Sequence, residues 1–286
     1  MKAIVLAGGK GTRLRPYTTV FPKPLMPLGD DNPMPILEVV LRQLARAGFG
    51  ATEIITGYLT EYIEMFCGDG RRFGTHVRYH REVTPLGTAG GLALLPRPDE
   101  AVLVINGDIL TTLDFARMYA FHRDRDARAT IAAFPREVKV DFGVLEFGDD
   151  PHVLAAYVEK PVIPFHVSMG IYILDPIAWD FLEPGRALGM PELLEAMREA
   201  GHAVHCFREP CDWLDIGRHD DYEAAVAVFQ ARRAEFLGGP ARPLPKHTRR
   251  DETHEPPAPG PALLRPGLPD RRDPVRLRDH LSGQGD

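Results

Sequence analysis

The sequence predicts an α/β protein built on a doubly wound, mostly parallel sheet. Three observations predict it. Short apolar runs rich in β-branched residues alternate with segments whose apolar residues recur at helical spacing. A glycine cluster, Gly8-Gly9-Lys10-Gly11, follows the first apolar run directly. Asp108 stands at the end of another apolar run, and in open α/β sheets the ligand crevice lies outside the carboxyl ends of the strands.

Lys2 to Ala7 reads as a buried strand. The glycines after it let backbone N–H groups turn toward an anion. Arg13, Arg15 and Lys23, the last between Pro22 and Pro24, set three cations around that loop, as a triphosphate requires. The loop is not a P-loop, because no G-x-x-x-x-G-K-[ST] can be read. It is not the dinucleotide fingerprint, because Leu14 stands where glycine is needed. A glycine-rich turn with solvated arginines is the plain alternative. Pro35 to Gly48 has helical spacing and stops at a glycine. Thr52 to Thr56 is a strand, Glu61 to Phe66 a helix and Val77 to His80 a short strand. The segment Arg81 to Gly91 follows, and leads to a helix expected from Leu92. Ala101 to Ile105 is an apolar strand ending in Asn106-Gly107-Asp108. Phe115 to Arg125 is a helix, and Ala129 to Phe134 a strand.

From Phe142 the pattern changes. Phe142 to Phe147, Val153 to Val158 and Ser168 to Leu174 read as strands, some of them antiparallel. Met190 to Ala200 is a helix, Ala203 to Arg208 a strand, Cys211 to Gly217 a loop and Asp220 to Leu237 a closing helix. From Gly239 onward there are ten prolines, many Arg and Asp, and few aromatics. Such a stretch cannot build a core. The expected organisation is one domain over residues 1–238 and a Pro/Arg-rich disordered tail over 239–286.

The 286 residues are 44% hydrophobic and 26% charged, which suits a single α/β domain. The net charge of −6 advertises no face for nucleic acid. Cys67, Cys206 and Cys211 are odd in number and lack metal spacing, so they read as reduced structural thiols. No apolar run approaches the ~18 residues of a membrane span, and the first strand begins at Lys2, so neither membrane helix nor signal peptide is expected. A cytoplasmic protein is the expectation.

The string Gly8-Gly9-Lys10-Gly11-Thr12-Arg13-Leu14, followed by Pro22-Lys23-Pro24, resembles the signature of the sugar-1-phosphate nucleotidyltransferases. The resemblance continues to about Phe229. It is nearest to the short mannose-1-phosphate guanylyltransferases. It implies a Rossmann-like nucleotide-diphospho-sugar transferase fold, with a mixed sheet and a small antiparallel acceptor-binding sub-region. It also implies an activity: transfer of a nucleoside monophosphate from an NTP, GTP favoured, to a sugar-1-phosphate or cyclitol phosphate. A homo-oligomer would fit that family; nucleic acid and membrane are not implied.

By that resemblance Leu6, Ala7, Gly8, Gly9, Gly11 and Thr12 would bind the nucleotide, together with Glu82, Pro85, Gly87 and Thr88. Arg13 would hold the leaving pyrophosphate, with Arg15 the weaker candidate, and Lys23 would stabilise charge at the α-phosphate. Asp108, in Asn-Gly-Asp, and Asp215, in Trp-Leu-Asp-Ile-Gly, match the family's Mg²⁺ ligands. Two carboxylates plus phosphate oxygens suit Mg²⁺, although each aspartate alone reads equally well as a turn or loop cap. Gly143, Glu159, Lys160 and Gly170 match acceptor-binding positions. Glu159 can accept from hydroxyls and Lys160 can neutralise a phosphate, the alternative being an exposed ion pair. Ser168-Met169 stands where relatives often carry Asn or Ala.

Glu82 bears on the nucleobase. Uridylyl- and thymidylyl-transferring relatives carry glutamine there. An ionised carboxylate only accepts, and guanine presents two adjacent donors, N1–H and N2–H₂. A uracil or thymine carbonyl would face that carboxylate unfavourably. GTP is therefore favoured, the alternative being a solvated Glu82 with selectivity set elsewhere. Three other readings compete. One is a UTP- or dTTP-using glucose-1-phosphate enzyme. Another is a silent regulatory subunit, against which Arg13, Lys23, Asp108 and Asp215 all stand. The last is a glycosyltransferase, for which Asp212 and Asp215 are too far apart to form D-x-D.

Overall fold

A computed structural model describes residues 1–30 and 32–238. The tail expected over 239–286 lies outside the described residues. The strands and helices run in chain order as β1 (Lys2–Ala7), β2 (Pro27–Leu28), β3 (Met34–Pro35), α1 (Ile36–Arg46), β4 (Ala51–Thr56), α2 (Thr60–Cys67) and β5 (His76–Arg81). Then come α3 (Gly87–Gly90), β6 (Val102–Asn106), β7 (Ile109–Thr111), α4 (Phe115–Asp124), β8 (Ala129–Lys139), β9 (Val144–Phe147) and β10 (Leu154–Val158). The rest are β11 (Val162–Leu174), α5 (Met190–Glu199), β12 (Val204–Phe207), β13 (Trp213–Asp215) and α6 (His219–Phe236).

The main sheet has the strand order β12-β8-β11-β6-β1-β4-β5. Strands β5, β4, β1 and β6 are mutually parallel, and β12 is parallel to β8. Strand β11 is antiparallel to both its neighbours, so the sheet is mixed. Period-two alternation sends Ala3, Val5 and Ala7 of β1 to one face, against α1, α2 and α4. Ile4 goes to the other face, against Met190, Leu193 and Met197 of α5. Helix α1 buries Leu37, Val40, Leu41 and Leu44, one stripe at the three- and four-residue spacing of a helix face. Burial of each such side chain contributes about 2 kcal/mol.

A third cluster fixes the glycine loop from outside. Ala225, Phe229 and Phe236 of α6 pack with Leu14, Met26, Leu28 and Ile216. The Tyr222 hydroxyl donates to the Pro27 carbonyl at 2.6 Å, and His219 Nε2 lies 3.0 Å from the Arg15 carbonyl.

Several elements differ from the sequence expectation. The helix expected from Leu92 begins earlier, as α3 followed by a 3₁₀ turn over Gly91–Leu94. A distant segment holds its first turn: the N–H groups of Ala89 and Gly90 both donate to the Leu188 carbonyl. The loop expected over Cys211 to Gly217 contains β13, which pairs antiparallel with β7. Strands β8 and β11 extend beyond the expected limits as an exposed ribbon pairing Lys139 to Ala133 with Val162 to Ser168. Strands β9 and β10 form a separate hairpin. Cys67 is buried in the core, and burial pushes its thiol up to about 12, consistent with a packing residue.

His122 of α4 is 3% exposed, with Nδ1 2.9 Å from Thr130 Oγ1. Burial holds its imidazole down from 6.5 to about 4, helped by nearby His205 and Arg128 and opposed by Asp175 and Asp126. The unfolded chain therefore takes up a proton that the folded chain refuses. Stability is full above pH 6.5 and falls as pH drops toward 4. The loss from this one group is about 3 kcal/mol. Urea unfolding near neutral pH and again at mildly acidic pH should show a smaller acid loss in His122→Gln than in the wild type. Equal losses would remove His122 from the account.

Candidate active site

A cleft of about 400 Å³ opens at the carboxyl ends of β1, β4 and β6. Its floor follows from register. Leu6 pairs with Ile55 on one side and with Asn106 on the other, so Ile55, Leu6 and Asn106 stand in one row across the sheet, and all three line the cleft. Every residue expected at the nucleotide lines it: Leu6, Ala7, Gly8, Gly9, Gly11, Thr12, Glu82, Pro85, Gly87 and Thr88. Arg13, Lys23 and Asp108 line it as well.

The loop after β1 is held at Gly11 by a backbone turn and a side-chain hydroxyl. Gly11 sits at φ +58, where an L side chain would be strained, and its carbonyl accepts from Thr18 Oγ1 at 2.8 Å. Lys23 heads a 3₁₀ turn between the two prolines and is 7% exposed. Its ammonium meets Asp108 Oδ2 at 2.5 Å. A buried lysine needs such a partner, since an unpaired buried charge costs several kcal/mol.

The Glu82 side chain is half-buried, its carboxylate turned toward three glycines. A Cβ added at Gly8 would lie 2.8 Å from Oε2, and one at Gly91 would lie 2.5 Å from Oε1. Gly57 closes the third side, at 3.6 Å by the same construction. Burial pushes the Glu82 carboxyl above its ordinary value, with the Leu86 N–H pulling the other way. Gly87, at φ +78, has no room for a side chain because the Leu188 carbonyl would meet its Cβ at 2.5 Å.

Asp215 pairs in register with Ile109, the residue after Asp108, so the β7–β13 ladder brings Asp215 to the same end of β7 as Asp108 from a distant part of the chain. Asp215 is exposed. A Cβ at Gly217 would lie 3.1 Å from Arg13 Nη1 and 3.4 Å from Asp215 Oδ2, so guanidinium and carboxylate both rest against Gly217. Among the described residues, no group of three or more His, Cys, Asp or Glu is assembled. Two carboxylates fit Mg²⁺, which keeps water and phosphate oxygens as its other ligands, and do not make the closed set of a structural zinc site.

The acceptor candidates divide. Gly170, at φ +73, abuts the cleft wall, since its Cβ would meet Asn106 Nδ2 at 2.6 Å. Gly143 packs on Tyr157, whose hydroxyl donates to Glu159 at 3.2 Å. Gly143, Glu159 and Lys160 belong to the β9–β10 region and do not line the cleft. Neither does Arg15. Sequence reasoning missed Leu14, Pro24, Ile55, Asn106 and Gly217 in the lining. Leu14, Pro24, Asn106 and Gly217 stand inside the quoted motifs but were given no role. Ile55 carried no signal beyond strand parity.

The Nucleotidyl transferase family profile matches residues 2–231, and the chain belongs to that family. It is 32% identical over 252 residues to a UTP–glucose-1-phosphate uridylyltransferase of Synechocystis, covering 81% of this chain and 64% of that one. It is likewise 32% identical over 237 residues to a mannose-1-phosphate guanyltransferase of Schizosaccharomyces pombe, covering 80% and 64%. The chain thus spans just under two thirds of the length of these relatives. Its fold matches, with a TM-score of 0.64 and 25% identity, a crystal structure from Bacillus anthracis assigned as a glucose-1-phosphate thymidylyltransferase in complex with sucrose; the match covers 80% of this chain and 94% of that one. Among the described residues no helix is long and apolar enough to cross a membrane.

Proposed function

We propose that this chain transfers a nucleoside monophosphate from an NTP, GTP favoured, to a sugar-1-phosphate or cyclitol phosphate, giving pyrophosphate and an NDP-sugar. One observation carries the reading. The glycine loop, the Lys23–Asp108 pair and Arg13 converge on a single cleft floored by Ile55, Leu6 and Asn106, and Asp215, outside that lining, rests with Arg13 against Gly217. A substrate drawn from the nucleoside triphosphate pool suits a cytoplasmic enzyme.

The chemistry is a displacement at phosphorus. An oxygen of the acceptor phosphate attacks the α-phosphorus, the bond to the bridging oxygen breaks, and pyrophosphate leaves with the electron pair. No side chain need act as nucleophile; charge and alignment are the barrier. Loop amides would cradle the phosphates, Arg13 would hold the leaving pyrophosphate, and Lys23 would meet charge growing at the α-phosphate. Asp108 and Asp215 would hold Mg²⁺, which when bound neutralises phosphate charge. Glu159 and Lys160 could meet the acceptor only from outside the present cleft lining.

Glu82 supports guanine. Its inward carboxylate offers two acceptor oxygens at the cleft wall. A second reading, UTP or dTTP with glucose-1-phosphate, is supported by the names of the Synechocystis and Bacillus anthracis proteins. Kinetics of Glu82→Gln separate the two. The variant should lose kcat/KM for GTP and gain relative activity with UTP or dTTP, by about 1–3 kcal/mol in relative transition-state free energy. Because burial raises the Glu82 carboxyl, the acid limb of kcat/KM for GTP should lie above that of an ordinary carboxylate. Below that limb the protonated carboxyl donates where an acceptor is needed. The limb should disappear in Glu82→Gln. A wild type that prefers UTP or dTTP would overturn the guanylyl assignment, and an unchanged ranking in the variant would overturn the role of Glu82.

A further inference from the structure

We propose that Asn106 is a specificity-determining residue for the acceptor, its side-chain amide hydrogen-bonding a ring hydroxyl of the sugar or cyclitol phosphate seated over Gly170. The inference rests on the reading of the cleft given above.

The floor row of Ile55, Leu6 and Asn106 continues onto β11. Ile171 pairs with Ile105 in an antiparallel register, which sets Gly170 opposite Asn106. Across the sheet the row therefore reads apolar, apolar, amide, no side chain. Order along the sheet assigns its two ends. Glu82 follows β5, the glycine loop follows β1, and Asp108 follows β6. A nucleotide with its base at Glu82 and its phosphates at the loop fills the β5-to-β1 side. The acceptor is left the β6–β11 side, where Asn106 and Gly170 stand.

That end holds few groups able to read a hydroxyl. Ser168 is engaged, with Oγ 3.0 Å from the Tyr172 hydroxyl and accepting from the Gly170 N–H at 3.3 Å. Met169 is buried at 1% exposure. The Asn106 amide, by contrast, has no hydrogen-bond partner among the described residues. Its Nδ2 lies close against Gly170, where a Cβ would approach to 2.6 Å. A half-buried amide with two donors and one acceptor, facing a cleft, is matched by a hydroxyl, which both donates and accepts. Since a hydroxyl's direction differs between epimers, one fixed amide can tell them apart.

The test is steady-state kinetics of the wild type and Asn106→Ala. The acceptors are glucose-1-phosphate and its C2 and C4 epimers, each with the preferred NTP. The KM for the best acceptor should rise about tenfold or more, and the kcat/KM preference between epimers should shrink toward one. The KM for the NTP should stay within about threefold, which also certifies that the variant is folded. A parallel rise in NTP KM would move Asn106 to the nucleotide and overturn the proposal, as would an unchanged epimer preference. If the wild type releases no pyrophosphate with any combination, the underlying reading of the cleft falls, and this inference with it.

Discussion

Asp215→Asn should lower turnover by roughly a hundredfold or more while the melting temperature stays put. Asp215 is exposed, and its carboxylate and the Arg13 guanidinium both lie against Gly217. Exposed substitutions of this kind usually change stability by less than about 0.5 kcal/mol. What the variant would lose is a carboxylate from the proposed two-carboxylate cation site, which would leave phosphate charge uncompensated. Asp108→Asn should lose turnover to a similar degree and stability as well, because Asp108 is also the counter-charge of buried Lys23. Turnover by Asp215→Asn near the wild-type rate with Mg²⁺ present would rule out the metal assignment.

Lys23→Met is expected to cost a comparable factor in kcat, roughly 10²–10³. Methionine keeps most of the stem's packing, so the lost element is the charge. Stability should fall by about 1–2 kcal/mol, less than for a fully buried pair, because Asp108 retains contact with water. The double variant Lys23→Met/Asp108→Asn decides between a structural and a chemical role. Two neutral groups replace the ion pair, so stability should recover relative to the sum of the single changes. Activity should not recover at all. A double variant that regains turnover would make Lys23 a mere partner of Asp108.

Much of this was legible in the sequence because it is local. Lys2 to Ala7 is a strand by composition, α1 declares itself by its apolar stripe, and a glycine cluster after a strand has few uses. What was not legible depends on pairing at a distance. Strands β7 and β13 are three residues each and about a hundred residues apart, and three residues carry no periodicity. The start of α3 is set by the Leu188 carbonyl, which nothing in Glu82 to Gly91 reveals. Glu82 was legible as chemistry, but its inward orientation depends on Gly8, Gly57 and Gly91 meeting from three segments. Asn106 was visible in its motif, yet its prominence comes from the register that sets it opposite Gly170.

The central claim is nucleotidyl transfer to a sugar-like phosphate. Pyrophosphate release is its most direct measure, followed over a matrix of GTP, UTP, dTTP, ATP and CTP against mannose-1-phosphate, glucose-1-phosphate and a cyclitol phosphate, with Mg²⁺. The account predicts release that requires both substrates, is greatest with GTP, and yields the matching NDP-sugar in equal amount. Pyrophosphate release that does not depend on the acceptor, or none from any combination, would contradict it.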